Sequence, residues 1–149
     1  MKPIKTLVLL ANDANARLFE NLGPGRGLTE IEDFSVTLVA GAEVRYSDRP
    51  GRNSAAPGMA QHATADQAEA EEAQSREAFV RAIVAETDGR FRENGYSRFV
   101  MVAAPATLGA LRTHLSERLR KALVLDVDKD FTAQGPAEVV KRLEGEIVL

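Results

Sequence analysis

Three short, largely apolar runs constrain this chain most: Thr6–Ala11, Arg98–Ala104 and Leu123–Val127. Each has the length of a strand and is too short for a core helix. They are continuous rather than alternating, as expected of strands covered on both faces, and such strands pair in parallel. Parallel neighbours cannot be joined by a tight turn. They need crossovers, usually helical.

The intervening segments supply those crossovers. Thr64-Ala65-Asp66-Gln67 has the spacing of a capping box. Behind it a long helix is expected to about Asn94, with Glu69, Glu71 and Glu72 in its first turns. Phe79, Val80, Ile83, Val84, Thr87 and Phe91 recur at helical spacing and make its buried stripe. Gly95 suits a left-handed cap. Pro105 suits a first helical position. From there Leu108, Leu111, Leu115 and Leu119 predict one amphipathic helix ending near Ala122. Gly135-Pro136 opens a last helix, with Val139, Val140 and Leu143 inward.

The chain begins differently. Asn12–Asn15 reads as a turn, because these side chains bond nearby backbone. Arg17–Leu22 returns as a second strand. The loop Gly23-Pro24-Gly25-Arg26-Gly27 leads to a half-polar third strand, Leu28–Phe34, at the sheet edge. Val36–Tyr46 is open between loop and a short extra strand. The predicted order is β-β-β, long loop, α-β-α-β-α. Strands one, four and five are expected to be parallel and central. Right-handed crossovers then give a three-layer α/β fold: a mixed five-stranded sheet ordered 3-2-1-4-5, with helices on both faces and ribonuclease H-like topology.

A length of 149 residues suits a single domain, 1–149. Ser47–Gln67 is the exception within it. It holds Pro50, Gly51, Pro57 and Gly58, and its only large apolar residue is Met59, so a long flexible loop is expected at about 47–67. The net charge of −3 excludes a strongly basic nucleic-acid-binding domain, though not a local basic patch. Cysteine is absent, which removes disulfides, thiol nucleophiles and thiolate metal sites together. The run Leu7–Ala11 is too short for a signal sequence, and no run is long enough to span a bilayer. A cytoplasmic protein is expected.

Candidate chemistry is sparse. Asp126, Asp128 and Asp130 alternate and would line one strand face if the strand runs that far. Asp13 ends the first strand, which places Asp13 and Asp130 at one carboxyl edge, where open α/β sheets usually bind ligands. Carboxylates there are of the kind that holds Mg²⁺. Turn capping explains both more simply, so no metal is expected. His62 and His114 lie apart, and no serine sits in a nucleophile motif. No phosphate-binding glycine loop is present, so no nucleotide cofactor is expected. The arginines are better candidates. Arg112, Arg118, Arg120 and Lys121 make one helix basic, and Arg49 and Arg52 stand in the long loop. Arg forks match phosphate oxygens, which fits an RNA partner.

Several stretches together resemble the bacterial host-attachment protein family. They are Leu9–Glu20; Val102-Ala103-Ala104-Pro105 with Leu108–Arg112; Lys129-Asp130-Phe131-Thr132; and Gly135–Glu138. That family is similar in architecture to the middle domain of eukaryotic and archaeal peptide-chain release factors, where a loop before the long helix carries Gly-Gly-Gln. Here the loop reads Gly58-Met59-Ala60-Gln61. Met59 and Ala60 carry Cβ atoms, which disfavour the positive φ that glycine permits. No peptidyl-ester hydrolysis is therefore expected, and no residue is assigned as catalytic. The resemblance implies a non-enzymatic adaptor acting through a protein partner. The alternative is a release-factor-like module that meets the ribosome or RNA through its 47–67 loop. The candidate binding residues are Asp13, Arg17, Arg49, Arg52, Gln61, Arg112, Asp130 and Thr132.

Overall fold

The computed structural model describes residues 4–34 and 57–149. Its elements are β1 (Thr6–Ala11), β2 (Ala16–Asn21), β3 (Thr29–Glu30), α1 (Pro57–Glu93), β4 (Arg98–Ala103), α2 (Pro105–His114), α3 (Glu117–Ala122), β5 (Leu123–Val127) and α4 (Pro136–Leu143). The sheet order is β3-β2-β1-β4-β5, as expected from the sequence. Strand β1 pairs antiparallel with β2, from Thr6↔Asn21 to Ala11↔Ala16. On its other side it pairs parallel with β4, from Thr6↔Arg98 to Ala11↔Ala103. All six residues of β1 are buried, which accounts for its unbroken apolar run.

The steps from β1 to β4 and from β4 to β5 move the same way across the sheet. Right-handed crossovers moving one way lie on one face. Helices α1, α2 and α3 accordingly share a face, packing Phe79, Ile83, Leu108, Leu111 and Leu119 on Leu7, Leu9, Phe99 and Met101. The opposite face carries α4, whose Val139 and Leu143 cover Val8, Leu10, Val100 and Val102. Every position of the two predicted helical stripes is buried.

Three boundaries differ from the sequence expectation, each for a physical reason. Strand β3 is only Thr29–Glu30, and residues 32–34 turn into helical backbone. Arg90 of α1 reaches across to both oxygens of Asp33, at 3.0 and 3.1 Å, and Phe34 is fully buried beside it. Helix α1 starts at Pro57, ahead of Thr64, so Gly58-Met59-Ala60-Gln61 lies in its first turns and not in a loop. The small residues there are mostly alanine, the strongest helix former, and Pro57 sits where a helix tolerates it. Residues 47–56 and Val36–Tyr46 lie outside the described residues.

The leucine helix is two helices. Leu115 has ψ 136°, and Ser116 caps α3 by accepting from Leu119 N–H while donating to Asp88 of α1 at 2.8 Å. Strand β5 stops at Val127, so Asp128 and Asp130 are not on it. It is also the margin of the sheet rather than a central strand, with Val124 52% exposed. Its register on β4 slips by one residue: Phe99 faces Leu123, but Val100 faces Leu125.

Candidate functional site

The carboxyl ends of β1, β4 and β5 bring four of the eight candidate residues to one edge: Asp13, Arg17, Asp130 and Thr132. The turn between β1 and β2 organises them. The amide oxygen of Asn12 accepts from the backbone N–H groups of Ala14 and Asn15, at 2.9 and 2.7 Å. This closes the turn locally, as asparagine does. The other end of the same amide donates to Asp130 Oδ2 at 2.9 Å and to Thr132 Oγ1 at 3.0 Å. Asp130 in turn accepts from the backbone N–H of Thr132 at 2.9 Å and from its hydroxyl. The hydroxyl and amide bonds from Thr132 and Asn12 hold the Asp130 carboxyl below the usual carboxylate range.

Arg17 completes the closure. Its guanidinium spans Glu30 with two bonds, 3.0 Å from Nε and 2.7 Å from Nη2. Nη1 donates to the carbonyls of Thr132 and Gln134, at 2.8 and 2.6 Å. The planar fork lies 4.9 Å from the Phe19 ring centroid. Arg17 therefore ties β2 to β3 and to the loop after β5. Four of its five N–H donors are spent on the protein itself, which leaves it poorly suited to grip a ligand.

Asp13 points the other way, toward the helices. One oxygen accepts from Arg76 Nε and the other from Arg76 Nη2, both at 3.1 Å. The Thr107 hydroxyl, in the first turn of α2, also donates to it. A carboxylate at a helix N-terminus is favourable against the macrodipole. The Arg76 bonds, then the Thr107 bond, lower its pKa. Asp13 and Asp130 are both ionised at neutral pH and offer no proton to donate. They share an edge, yet they serve separate partners. Among the described residues, no group of three acidic or histidine side chains is arranged to hold a metal ion.

The remaining candidates lie elsewhere. Arg112, at the end of α2, donates to Asp126 of β5 at 2.7 Å. Its basic neighbours are similarly engaged: Arg118 with Asp88 at 3.0 Å and Lys121 with Glu117 at 3.2 Å. Three of these four basic residues are thus paired with local carboxylates, while Arg120 donates to the carbonyls of Arg112 and Leu115. Gln61 belongs to the N-terminal end of α1. Arg49 and Arg52 lie outside the described residues. Sequence reasoning missed Arg76, Thr107 and Gln134, and it read Asn12 only as a turn residue. The Arg76–Asp13 pairing carries no local signal, since the two residues are 63 positions apart.

A family model for bacterial archaeo-eukaryotic release factor family 12 matches residues 5–143. No curated protein matches by sequence. A solved structure described as a non-polymerisable quadruple mutant of pCBH ParM is similar at a TM-score of 0.48 and 12% identity, over 95% of this chain and 48% of that one. This chain therefore spans about half that chain's length. No helix among the described residues is long and apolar enough to cross a membrane.

Proposed function

Because this chain belongs to bacterial archaeo-eukaryotic release factor family 12, we propose that it is a cytoplasmic ribosome-associated binding module of release-factor type. The family match over residues 5–143 carries this reading. It favours the release-factor alternative over the adaptor for host attachment, which gains no support from it. Two features of the chain agree with it. The first turns of the long helix α1 hold Gly58–Gln61, the stretch that resembles the release-factor tip. Arg49 and Arg52 precede it in sequence, and arginine forks suit ribosomal RNA phosphates.

The module does not hydrolyse peptidyl esters. Met59 and Ala60 stand where the release-factor tip has Gly-Gly, and their Cβ atoms oppose positive φ. The stretch is helical, as alanine favours. The test is co-sedimentation of the full chain with ribosomes across a salt series, paired with a release assay on peptidyl-tRNA. The chain should pellet with ribosomes at low salt and leave them as salt rises, since each phosphate contact releases counterions. Arg49→Gln with Arg52→Gln should weaken the pelleting. No peptide should be released, by the native chain or by Gln61→Ala. A chain that stays in the supernatant at low salt overturns the association. A release activity abolished by Gln61→Ala overturns the non-hydrolytic assignment.

A further inference from the structure

Helix α1 is longer than the sheet it covers. Its 37 residues rise about 55 Å. Among the described residues, the stripe that meets the core runs from Phe79 to Phe91. The helix enters β4 at that strand's amino end, so it runs antiparallel to β4, and its own N-terminal part leaves at the carboxyl edge. Residues 67–71, 73 and 74 on that part are all exposed. From Arg76 back to Pro57 the arm rises roughly 28 Å at 1.5 Å per residue.

The place where the arm leaves the core is tightly tied. Asp13 takes both Nε and Nη2 of Arg76, and it accepts from Thr107 at the start of α2. The next residue of α1, Glu77, meets the imidazole Nε2 of His114 at the end of α2. Asp13 itself has little freedom. Its turn is closed by Asn12, and Asn12 is held by Asp130 and Thr132 from the loop after β5. Asp13 therefore transmits the frame of the sheet to both helices at one point.

We propose that Asp13 is a positioning residue: through Arg76 and Thr107 it fixes the direction in which the arm of α1 leaves the sheet, and so where the Gly58–Gln61 end is presented. The leverage is large. A tilt of about 10° at Arg76 moves the far end of a 28 Å arm by roughly 5 Å. A bidentate arginine–carboxylate pair suits this task, because two parallel bonds fix an angle as well as a distance. The inference goes beyond the ribosomal reading and stands whether or not the arm meets a ribosome.

The chain contains no cysteine, so labels are introduced without background. Gln67→Cys on the arm and Lys141→Cys on α4 carry spin labels, and double electron–electron resonance reads the distance between them in the full chain. The native sequence should give one narrow distribution. Asp13→Ala should broaden it and shift its mean by roughly 2 Å, the displacement a tilt of about 10° gives at Gln67, about 14 Å along the helix from Arg76. Arg76→Gln should do the same, and it decides the matter if Asp13→Ala does not fold. Val100→Ala, a core truncation on the opposite face, should lower the melting temperature and leave the distribution narrow. If Asp13→Ala and Arg76→Gln lower the melting temperature with the same narrow distribution, Asp13 is merely structural and the proposal fails.

Discussion

Replacing Arg17 by methionine separates a structural arginine from a ligand-binding one. Methionine keeps most of the apolar stem and removes the guanidinium, together with its stacking over Phe19. Four hydrogen bonds are lost: two to Glu30 and two to the carbonyls of Thr132 and Gln134. The two carbonyl bonds are part-buried and are worth about 1 kcal/mol each. The Arg17–Glu30 pair is bidentate, with side chains 21% and 25% exposed. Screening at that exposure limits it to about 1 kcal/mol. The sum is about 3 kcal/mol. Urea unfolding followed by circular dichroism measures it. With a slope of about 2 kcal/mol per molar, the midpoint should fall by about 1.5 M. Arg17→Lys should recover only part of this, because an ammonium cannot span Glu30 and both carbonyls at once. A loss below about 0.5 kcal/mol would refute the reasoning, since surface residues free to serve a ligand change stability by no more than that.

Two further outcomes follow from the packing and the charges. Leu111→Ala, at a fully buried position under α1, should cost about 2–5 kcal/mol by the same urea assay; a cost under about 0.5 kcal/mol would mean the stripe does not face the core. Asp13 and Asp130 both have lowered folded-state pKa values, so they contribute stability above the unfolded carboxylate range near pH 4 that is lost as pH falls through their folded values. Acid titration of the unfolding midpoint should therefore decline below about pH 4, and the decline should be shallower in Asp130→Asn.

The sheet was legible because its signals are local and redundant. The buried runs of β1 and β4, the stripe of α1 and the caps at Gly95 and Pro105 each need only a few neighbouring residues to be read. The errors share a cause: a distant partner outweighed a local preference. Arg90 turned the end of the third strand inward at Asp33 and Phe34, from 57 positions away. Asp88 of α1 holds Ser116 at the break in the leucine helix, 28 positions from it. The start of α1 was misread for another reason, since small residues suggest a loop by volume while alanine favours a helix by entropy. At the site, the sequence placed Asp13 and Asp130 at the right edge. It could not show that their oxygens are already occupied, because Arg76, Thr107 and Asn12 converge on them only in three dimensions.

The two margins of the sheet have a consequence for how these molecules behave when crowded. On one side β3 is two residues long. On the other, the slip at Val124 puts an extra residue into β5 and twists the strand away from a straight ladder. Among the described residues, these strands offer a passing chain no flat run of free amide and carbonyl groups to template on. Irregular, very short edges are how natural sheets avoid growing into one another. Val124, exposed and apolar, would be the natural seed for such growth. The same irregularity that exposes it also spoils the register that a fibre would need.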